Sequence, residues 1–265
     1  MFDSVLGSDY TLGILTGKNI LVCGGATGIG AETARKLSSE GARIGVGDCN
    51  IDAASALVQE LNANGDHAAA WYYDQADEAS INALLETALA QFDGLDGVFA
   101  NAADMGVLLE DGDILSNDAS VWQRTLKVNV TGTALLLRAA LPHLLQRGGG
   151  SLVLTSSSAS TIGEAERPAY AVSKAGINAL CRHVASKWGK QGIRCNAIAP
   201  GLVITEQLEQ NLPREFLDKL LRSSPSARHG VPADIAAAVA FLMSDDGAWV
   251  NGQTWHVNGG ATYSN

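Results

Sequence analysis

Asn19-Ile20-Leu21-Val22-Cys23-Gly24-Gly25-Ala26-Thr27-Gly28-Ile29-Gly30-Ala31 is an apolar run that breaks into glycines and then resumes with helix-forming residues. The first five residues suit a buried strand, and residues 31–39 carry helical periodicity. Glycines at a strand-to-helix turn permit backbone angles that other residues avoid. They also let a phosphate approach the main chain. The helix start behind them offers free N–H groups and the positive end of its dipole. Gly24, Thr27, Gly28, Ile29 and Gly30 are therefore expected to cradle the pyrophosphate of a dinucleotide. A glycine-rich turn alone carries little weight; its place at the head of a strand–helix–strand pattern gives it meaning.

That pattern continues along the chain. Short apolar runs recur at residues 19–23, 43–46, 68–73, 97–100, 151–155, 194–198 and 254–257. Helical segments lie between them, starting at Gly30, near Asp52 and near Glu78, then spanning residues 121–145, 169–190 and 232–243. Strands alternating with helices predict parallel pairing through right-handed crossovers. The strands are continuously apolar rather than alternating, which predicts helices on both faces of the sheet. The expected fold class is α/β: one doubly wound, parallel, seven-stranded sheet in a single domain over residues 17–265. Residues 1–16 read as a surface arm. Residues 202–230, with Pro213 and Pro225 around an amphipathic stretch, are the longest insertion between core elements and read as a substrate lid.

Composition narrows the functional classes. The 265 residues are 46% hydrophobic and 17% charged, which suits a globular enzyme. Net charge is −10, from 28 acids against 18 bases, and no basic cluster offers a footprint for nucleic acid. The N-terminus lacks a continuous apolar segment of the kind a signal peptide has. No uninterrupted apolar run reaches the length of a membrane span. A cytoplasmic protein with no membrane partner is expected. Cys23, Cys49, Cys181 and Cys195 form no Cys-x-x-Cys pair and have no His at zinc-ligand spacing. They read as buried or half-buried thiols, and no metal site is expected.

Two further groups point to chemistry. Asp48 closes the second strand, eighteen residues after Gly30. A carboxylate there accepts hydrogen bonds from the adenosine ribose hydroxyls and repels a 2′-phosphate. No Arg or Lys follows in residues 49–52, so NAD is expected rather than NADP. Tyr170 and Lys174 stand four apart at the start of a helix and therefore on one face. A free phenol is too weak a base at neutral pH, and a neighbouring ammonium is expected to lower its pKa.

Taken in order and spacing, these residues resemble the short-chain dehydrogenase/reductase family in its single-domain branch, over residues 15–260. The resemblance implies a Rossmann fold. The family's Thr-Gly-x-x-x-Gly-x-Gly reads Cys23 to Gly30 here, with Cys23 in place of Thr. Asp74 matches the acid that contacts adenine, with Gln75 beside it. The family's Asn-Asn-Ala-Gly is Ala100-Asn101-Ala102-Ala103, where Ala103 adds a methyl beside the cofactor ribose. The resemblance implies a catalytic set of Asn129, Ser157, Tyr170 and Lys174. In that set Asn129 bends the long helix and holds a relay water. Tyr170 exchanges the proton, Ser157 steadies the substrate oxygen, and Lys174 also grips the nicotinamide ribose. Ser157 is preferred to Ser156 and Ser158 because it lies thirteen residues before Tyr170. Pro200, Gly201, Val203 and Thr205 match positions around the nicotinamide. Asn258 stands where Asp is commoner. The implied activity is hydride transfer between NAD and a secondary alcohol or ketone, in a homotetramer built on the two long helices.

Other residues stay open on sequence alone. Arg167 either meets an anionic substrate or is balanced by Glu164 and Glu166 in a solvated loop. Met105, Leu108, Leu202, Leu208, Leu212 and Phe216 line a pocket under the lid or simply pack. His256 reads as a packed histidine, and Trp188, Trp249 and Trp255 as candidates for subunit contacts. A non-enzymatic dinucleotide sensor, an NADP-preferring carbonyl reductase, and a C=C reductase or sugar epimerase are the rival functions.

Overall fold

Every residue of β1 (Asn19–Cys23) is buried, which requires cover on both faces of the strand. Ile20 and Val22 join one hydrophobic core and Leu21 and Cys23 the other, as the two-residue period of a strand dictates. The structure, a computed structural model, describes residues 13–222 and 224–263; the side chains of Asn211 and Phe216 lie outside the description. The remaining strands are β2 (Arg43–Asp48), β3 (Ala68–Tyr72), β4 (Gly97–Ala100), β5 (Gly150–Thr155), β6 (Ile193–Pro200) and β7 (Thr254–Val257). All pair in parallel, in the order β3-β2-β1-β4-β5-β6-β7. The chain runs outward from β1 to β3, then returns to place β4 on the other side of β1. That reversal opens a crevice at the carboxyl ends of β1 and β4. The expected doubly wound Rossmann sheet is the fold observed.

Helices α1 (Gly28–Ser39), α2 (Ile51–Ala63) and α3 (Glu78–Phe92) follow the first three strands. Asn50 and Asp77 cap α2 and α3 by accepting from the N–H groups of Ala53 and Ala79. Next come α4 (Ala119–Leu126), α5 (Thr133–Gln146), α6 (Pro168–Trp188), α7 (Glu206–Asn211), α8 (Arg214–Arg222) and α9 (Pro232–Met243). Leu37, Leu57 and Val239 of α1, α2 and α9 pack on Ile20, Val22 and Ile44. Leu84, Leu136, Leu144 and Ile177 of α3, α5 and α6 pack on Leu21, Val98 and Leu152.

The helix expected over residues 121–145 is instead three segments. A wide π-helical turn, Lys127–Gly132, separates α4 from α5. Loosening of the backbone ladder is compensated by side chains. Gln75 Nε2 donates to the Val128 carbonyl (2.8 Å) and Thr133 Oγ1 to the Asn129 carbonyl (2.7 Å). The whole run Ala119–Gln146 is long and apolar enough to cross a membrane, with 44% of its most apolar window buried inside the fold. The sequence reading missed it because it counted only uninterrupted apolar residues, and Arg138 and His143 interrupt this one.

Two smaller expectations also change. Cys49 is exposed, beside the buried Cys23, Cys181 and Cys195, because it lies past the end of β2. Residues 1–12 of the expected arm lie outside the described residues. Gly13–Thr16 form a turn whose Leu15 is fully buried and donates its N–H to the Glu40 carbonyl (3.0 Å).

Candidate active site

The turn after β1 sits at the crevice. Gly24 has φ +78°, and a side chain there would run into the backbone of Ala102 at 2.6 Å. Gly30 packs as tightly, since a Cβ would meet the Gly24 carbonyl at 2.0 Å. Gly28 has φ +54°, and a Cβ there would meet only Thr205, at 3.2 Å. Thr27 stands at the N-cap of α1 without a side-chain cap, and no acid occupies the first turn. The first N–H groups, Gly28 and Ile29 among them, therefore lack an intrahelical acceptor. An uncapped, positively polarised helix start behind glycines suits a pyrophosphate.

Asp48 lies next to this turn. Its Oδ2 accepts from the Ala26 N–H and its Oδ1 from the Asn50 N–H, both at 2.9 Å. Each oxygen keeps a lone pair for a ribose hydroxyl. Asp74 accepts from the Ala76 N–H (2.8 Å) and remains half-exposed. Gln75 is buried and turned inward. It accepts from the Tyr73 hydroxyl (2.9 Å) and donates to the carbonyls of Ala102 (3.0 Å) and Val128. Asn101 Nδ2 donates to the Gly24 carbonyl (2.8 Å), which locks the end of β4 to the glycine turn. Ala102 and Ala103 are half-buried beside it. Together the uncapped helix start, the close-packed glycines and the Asp48 carboxylate fit a dinucleotide.

The other half of the site is built by β5 and α6. Thr155 ends β5; its hydroxyl donates to Asn101 Oδ1 (3.0 Å) and its carbonyl accepts from Lys174 Nζ (2.8 Å). Lys174, 3% exposed, lies with its ammonium 5.6 Å from the centre of the Tyr170 ring. Burial lowers its pKa to about 8. The Ser157 hydroxyl lies beside the Tyr170 phenol and acts to lower its pKa. Its neighbours are committed elsewhere: Ser156 Oγ donates to the Lys174 carbonyl (3.1 Å), and Ser158 Oγ accepts from Asn258 Nδ2 (3.2 Å). Asn129 sits in the π-helical turn with both ends of its side chain tied to protein. Its Oδ1 accepts from the Asp104 N–H (3.0 Å), and its Nδ2 donates to Ser173 Oγ (3.1 Å).

The Tyr170 phenol stands above its ordinary pKa. Burial raises it, the neighbouring Ser157 hydroxyl and the charge of Arg167 draw it back, and Glu164 raises it again. The depression expected from Lys174 is absent here. Desolvation of the phenolate outweighs an ammonium whose nearest partner is the Thr155 carbonyl.

On the lid side, Pro200 ends β6 and Gly201 lies against Asn258, where a Cβ would come within 2.8 Å. Val203 pairs in parallel with Gly230, joining the two ends of the segment 202–230. Thr205 caps α7 by accepting from the Leu208 N–H (3.3 Å). Met105 is 59% exposed and Leu202 partly so, which removes both from the core. Arg167 pairs with Glu164 at 2.8 Å, the balanced-loop arrangement. Half-buried His256 meets Thr262 Oγ1 (3.3 Å). Trp255 stacks on Phe241 and Trp188 meets His183 edge-on, so both pack inside the chain, whereas Trp249 is 99% exposed.

Sequence reasoning missed Asp111, Asp104 and Thr155. Asp111 accepts from the N–H groups of Ala169 and Tyr170 across 58 and 59 residues. Asp104 is held by Arg124 through both carboxylate oxygens. Local periodicity carries no trace of partners so distant; only Thr155, two residues before Ser157 at a strand end, carried a positional hint.

Comparison with known proteins gives the family. A family model described as enoyl-(acyl carrier protein) reductase covers residues 16–262. A probable short-chain type dehydrogenase/reductase of Bradyrhizobium diazoefficiens is 39% identical, over 94% of this chain and 89% of its own. D-threitol dehydrogenase of Mycolicibacterium smegmatis is 35% identical over 94% of each chain. Among solved structures, a 7α-hydroxysteroid dehydrogenase complexed with NADH and 7-oxo-glycochenodeoxycholic acid superposes with a TM-score of 0.88 at 30% identity, covering 100% of this chain and 99% of that one. The chain belongs to the short-chain dehydrogenase/reductase family.

Proposed function

We propose that this oxidoreductase interconverts a secondary alcohol and a ketone with NAD(H), and that Tyr170 exchanges the proton. The observation that carries the reading is the cluster of Ser157, Tyr170 and Lys174: a hydroxyl beside a half-buried phenol, with a buried ammonium one helical turn away. Relatives named D-threitol dehydrogenase and 7α-hydroxysteroid dehydrogenase support the substrate class.

Gly24, Thr27, Gly28 and Ile29 would hold the pyrophosphate, Asp48 the adenosine ribose, and Asp74 the adenine. Val203 and Thr205 would meet the nicotinamide end, with Pro200 and Gly201 shaping the wall. Gln75, Asn101, Ala102 and Gly30 support these positions from behind, and Ala103 borders the ribose. The nicotinamide supplies the carbon that takes or gives the hydride.

The protein's own groups handle the oxygen. Burial keeps the Tyr170 phenol protonated at neutral pH, so it gives its proton to a carbonyl oxygen as that oxygen gains charge. Ser157 donates a hydrogen bond to the same oxygen. Lys174, one turn along α6 with its ammonium 5.6 Å from the ring centre, would offset part of the charge left on the phenolate during transfer, too little to bring the resting phenol below its ordinary pKa. In the alcohol direction the phenolate takes the proton back. Asn129 ties the Asp104 loop and Ser173 together beside both residues. The same reading includes a homo-oligomer, the assembly that the family resemblance implies.

Tyr170→Phe keeps the phenyl ring and removes the proton. Its fold and NADH binding are expected to persist while kcat falls by about 10²–10⁴-fold. Wild-type kcat on any accepted ketone or alcohol would contradict the role given to Tyr170. The cofactor preference is tested separately: kcat/KM with NAD(H) is expected to exceed that with NADP(H), because the Asp48 carboxylate repels a 2′-phosphate. Equal or reversed preference removes that assignment.

A further inference from the structure

α6 lacks a cap of its own. Arg167 stands before it in the left-handed region, φ +65° and ψ +45°, and its side chain does not reach the helix N–H groups. The buried start of the helix is served from outside. Asp111, in the loop between β4 and α4, is 3% exposed. Its Oδ2 accepts from the Tyr170 N–H at 2.8 Å and its Oδ1 from the Ala169 N–H at 3.3 Å. Asn117 holds the carboxylate, donating from Nδ2 to Asp111 Oδ1 while its own Oδ1 accepts from the Gly112 N–H (3.1 Å). Arg167 closes the set by donating its N–H to the Gly112 carbonyl (2.8 Å).

We propose that Asp111 is a positioning residue for Tyr170. The proposal rests on the proton-transfer role given to Tyr170 above. A carboxylate at a helix N-terminus meets the positive end of the dipole and forms charge-assisted bonds. Here one of those bonds goes to the amide of the reacting residue itself, so the carboxylate fixes where the Tyr170 Cα lies. The same loop begins at Asn101, which is bonded to the glycine turn. Asp111 thus ties the height of the phenol to the wall of the dinucleotide crevice. Hydride transfer depends steeply on alignment, and a displacement of about 1 Å costs roughly a hundredfold in rate.

Asp111→Asn tests this directly. The amide has one acceptor where the carboxylate has two, and it sets an N–H₂ against a backbone N–H. In the full-length protein, kcat is expected to fall about 10–100-fold, while NADH affinity, read by fluorescence, stays within about twofold. The control is Asp118→Ala. Asp118 caps α4 by accepting from the Ser120 N–H and touches nothing in the site, so its loss lowers the urea midpoint and leaves kcat unchanged. Comparable loss of kcat in both variants at similar loss of stability would mean a general structural role and overturn the proposal, as would a wild-type kcat in Asp111→Asn. Should Asp111→Asn not fold, Asn117→Ser, which frees the carboxylate to turn, decides it: reduced kcat with unchanged NADH affinity supports positioning, wild-type kcat overturns it. Tyr170→Phe run alongside separates the two readings. If Tyr170→Phe is active, the proton-transfer role fails and takes this proposal with it; if it is inactive beside a fully active Asp111→Asn, the proposal alone fails.

Discussion

Lys174 holds a cation where the fold leaves almost no water, and burial lowers its pKa to about 8. In the unfolded chain the same group keeps its proton to about pH 10.4. Between those values the unfolded chain binds more protons, so raising the pH favours the folded state. The penalty of burying the ammonium is therefore full below pH 8 and fades above it. Two cysteines pull the other way at high pH. The Cys195 thiol, held up by the neighbouring Cys181 side chain and by burial, and the Cys23 thiol, held up by burial, stand above their ordinary range. Their unfolded counterparts ionise first, which weakens the fold as pH rises. Lys174→Met removes only the lysine contribution. Wild type is expected to gain on the variant by on the order of 1–3 kcal/mol between pH 7 and 10, read from urea midpoints at matched pH. A difference that stays flat would mean the buried ammonium is solvated better than its surroundings imply.

At the scale of elements, what sequence makes visible is what depends on local pattern. β1, β4 and β7 and the span of α9 are as expected, because each is a bounded run whose period alone decides it. Asp48 closes β2 as expected, whereas β6 runs on to Pro200, carried by pairing with β7 rather than by its own residues. Nothing in the helical period of residues 121–145 marks the π-helical turn; only the resemblance, which implied a bend at Asn129, pointed to it. It depends on Gln75, more than fifty residues earlier, filling a carbonyl, and on Gly132, where a Cβ would meet the Gln75 carbonyl at 2.2 Å. The site divides the same way. Ser157 could be chosen over its neighbours by spacing, and the structure gives each neighbour another partner. The pKa of Tyr170 could not be read, because desolvation opposes the local charges and only tertiary burial fixes its size. Asp111 was out of reach for the reason that Gln75 was: its partners are close in space and remote in sequence.

Across the whole molecule, stability and chemistry lie at opposite ends of the same elements. The glycine turn, Ser157 and the segment that follows β6 gather at the carboxyl edge of the sheet, while the helices carry their apolar rows back toward the amino edge. Leu37, fully buried near the end of α1, lies nine residues and roughly 13 Å along the helix from Gly28. Leu37→Ala leaves a cavity between α1 and its neighbours and is expected to cost about 2–5 kcal/mol, a fall in melting temperature of roughly 5–15 °C. The first turn of α1 is held separately, by the close contact of Gly30 with Gly24 and by Asp48 on Ala26. Cofactor affinity and kcat at 25 °C should therefore be untouched. On the proposed function, NADH would bind the folded state and stabilise it by mass action, about 2.7 kcal/mol at a hundred times its Kd. That increment should be the same in wild type and variant, since it depends only on an affinity the mutation leaves alone. Parallel thermal melts with and without NADH, with kcat measured on the same samples, check this. A smaller increment in Leu37→Ala, or a kcat that falls with stability, would show that the core of α1 and its phosphate end move as one cooperative unit.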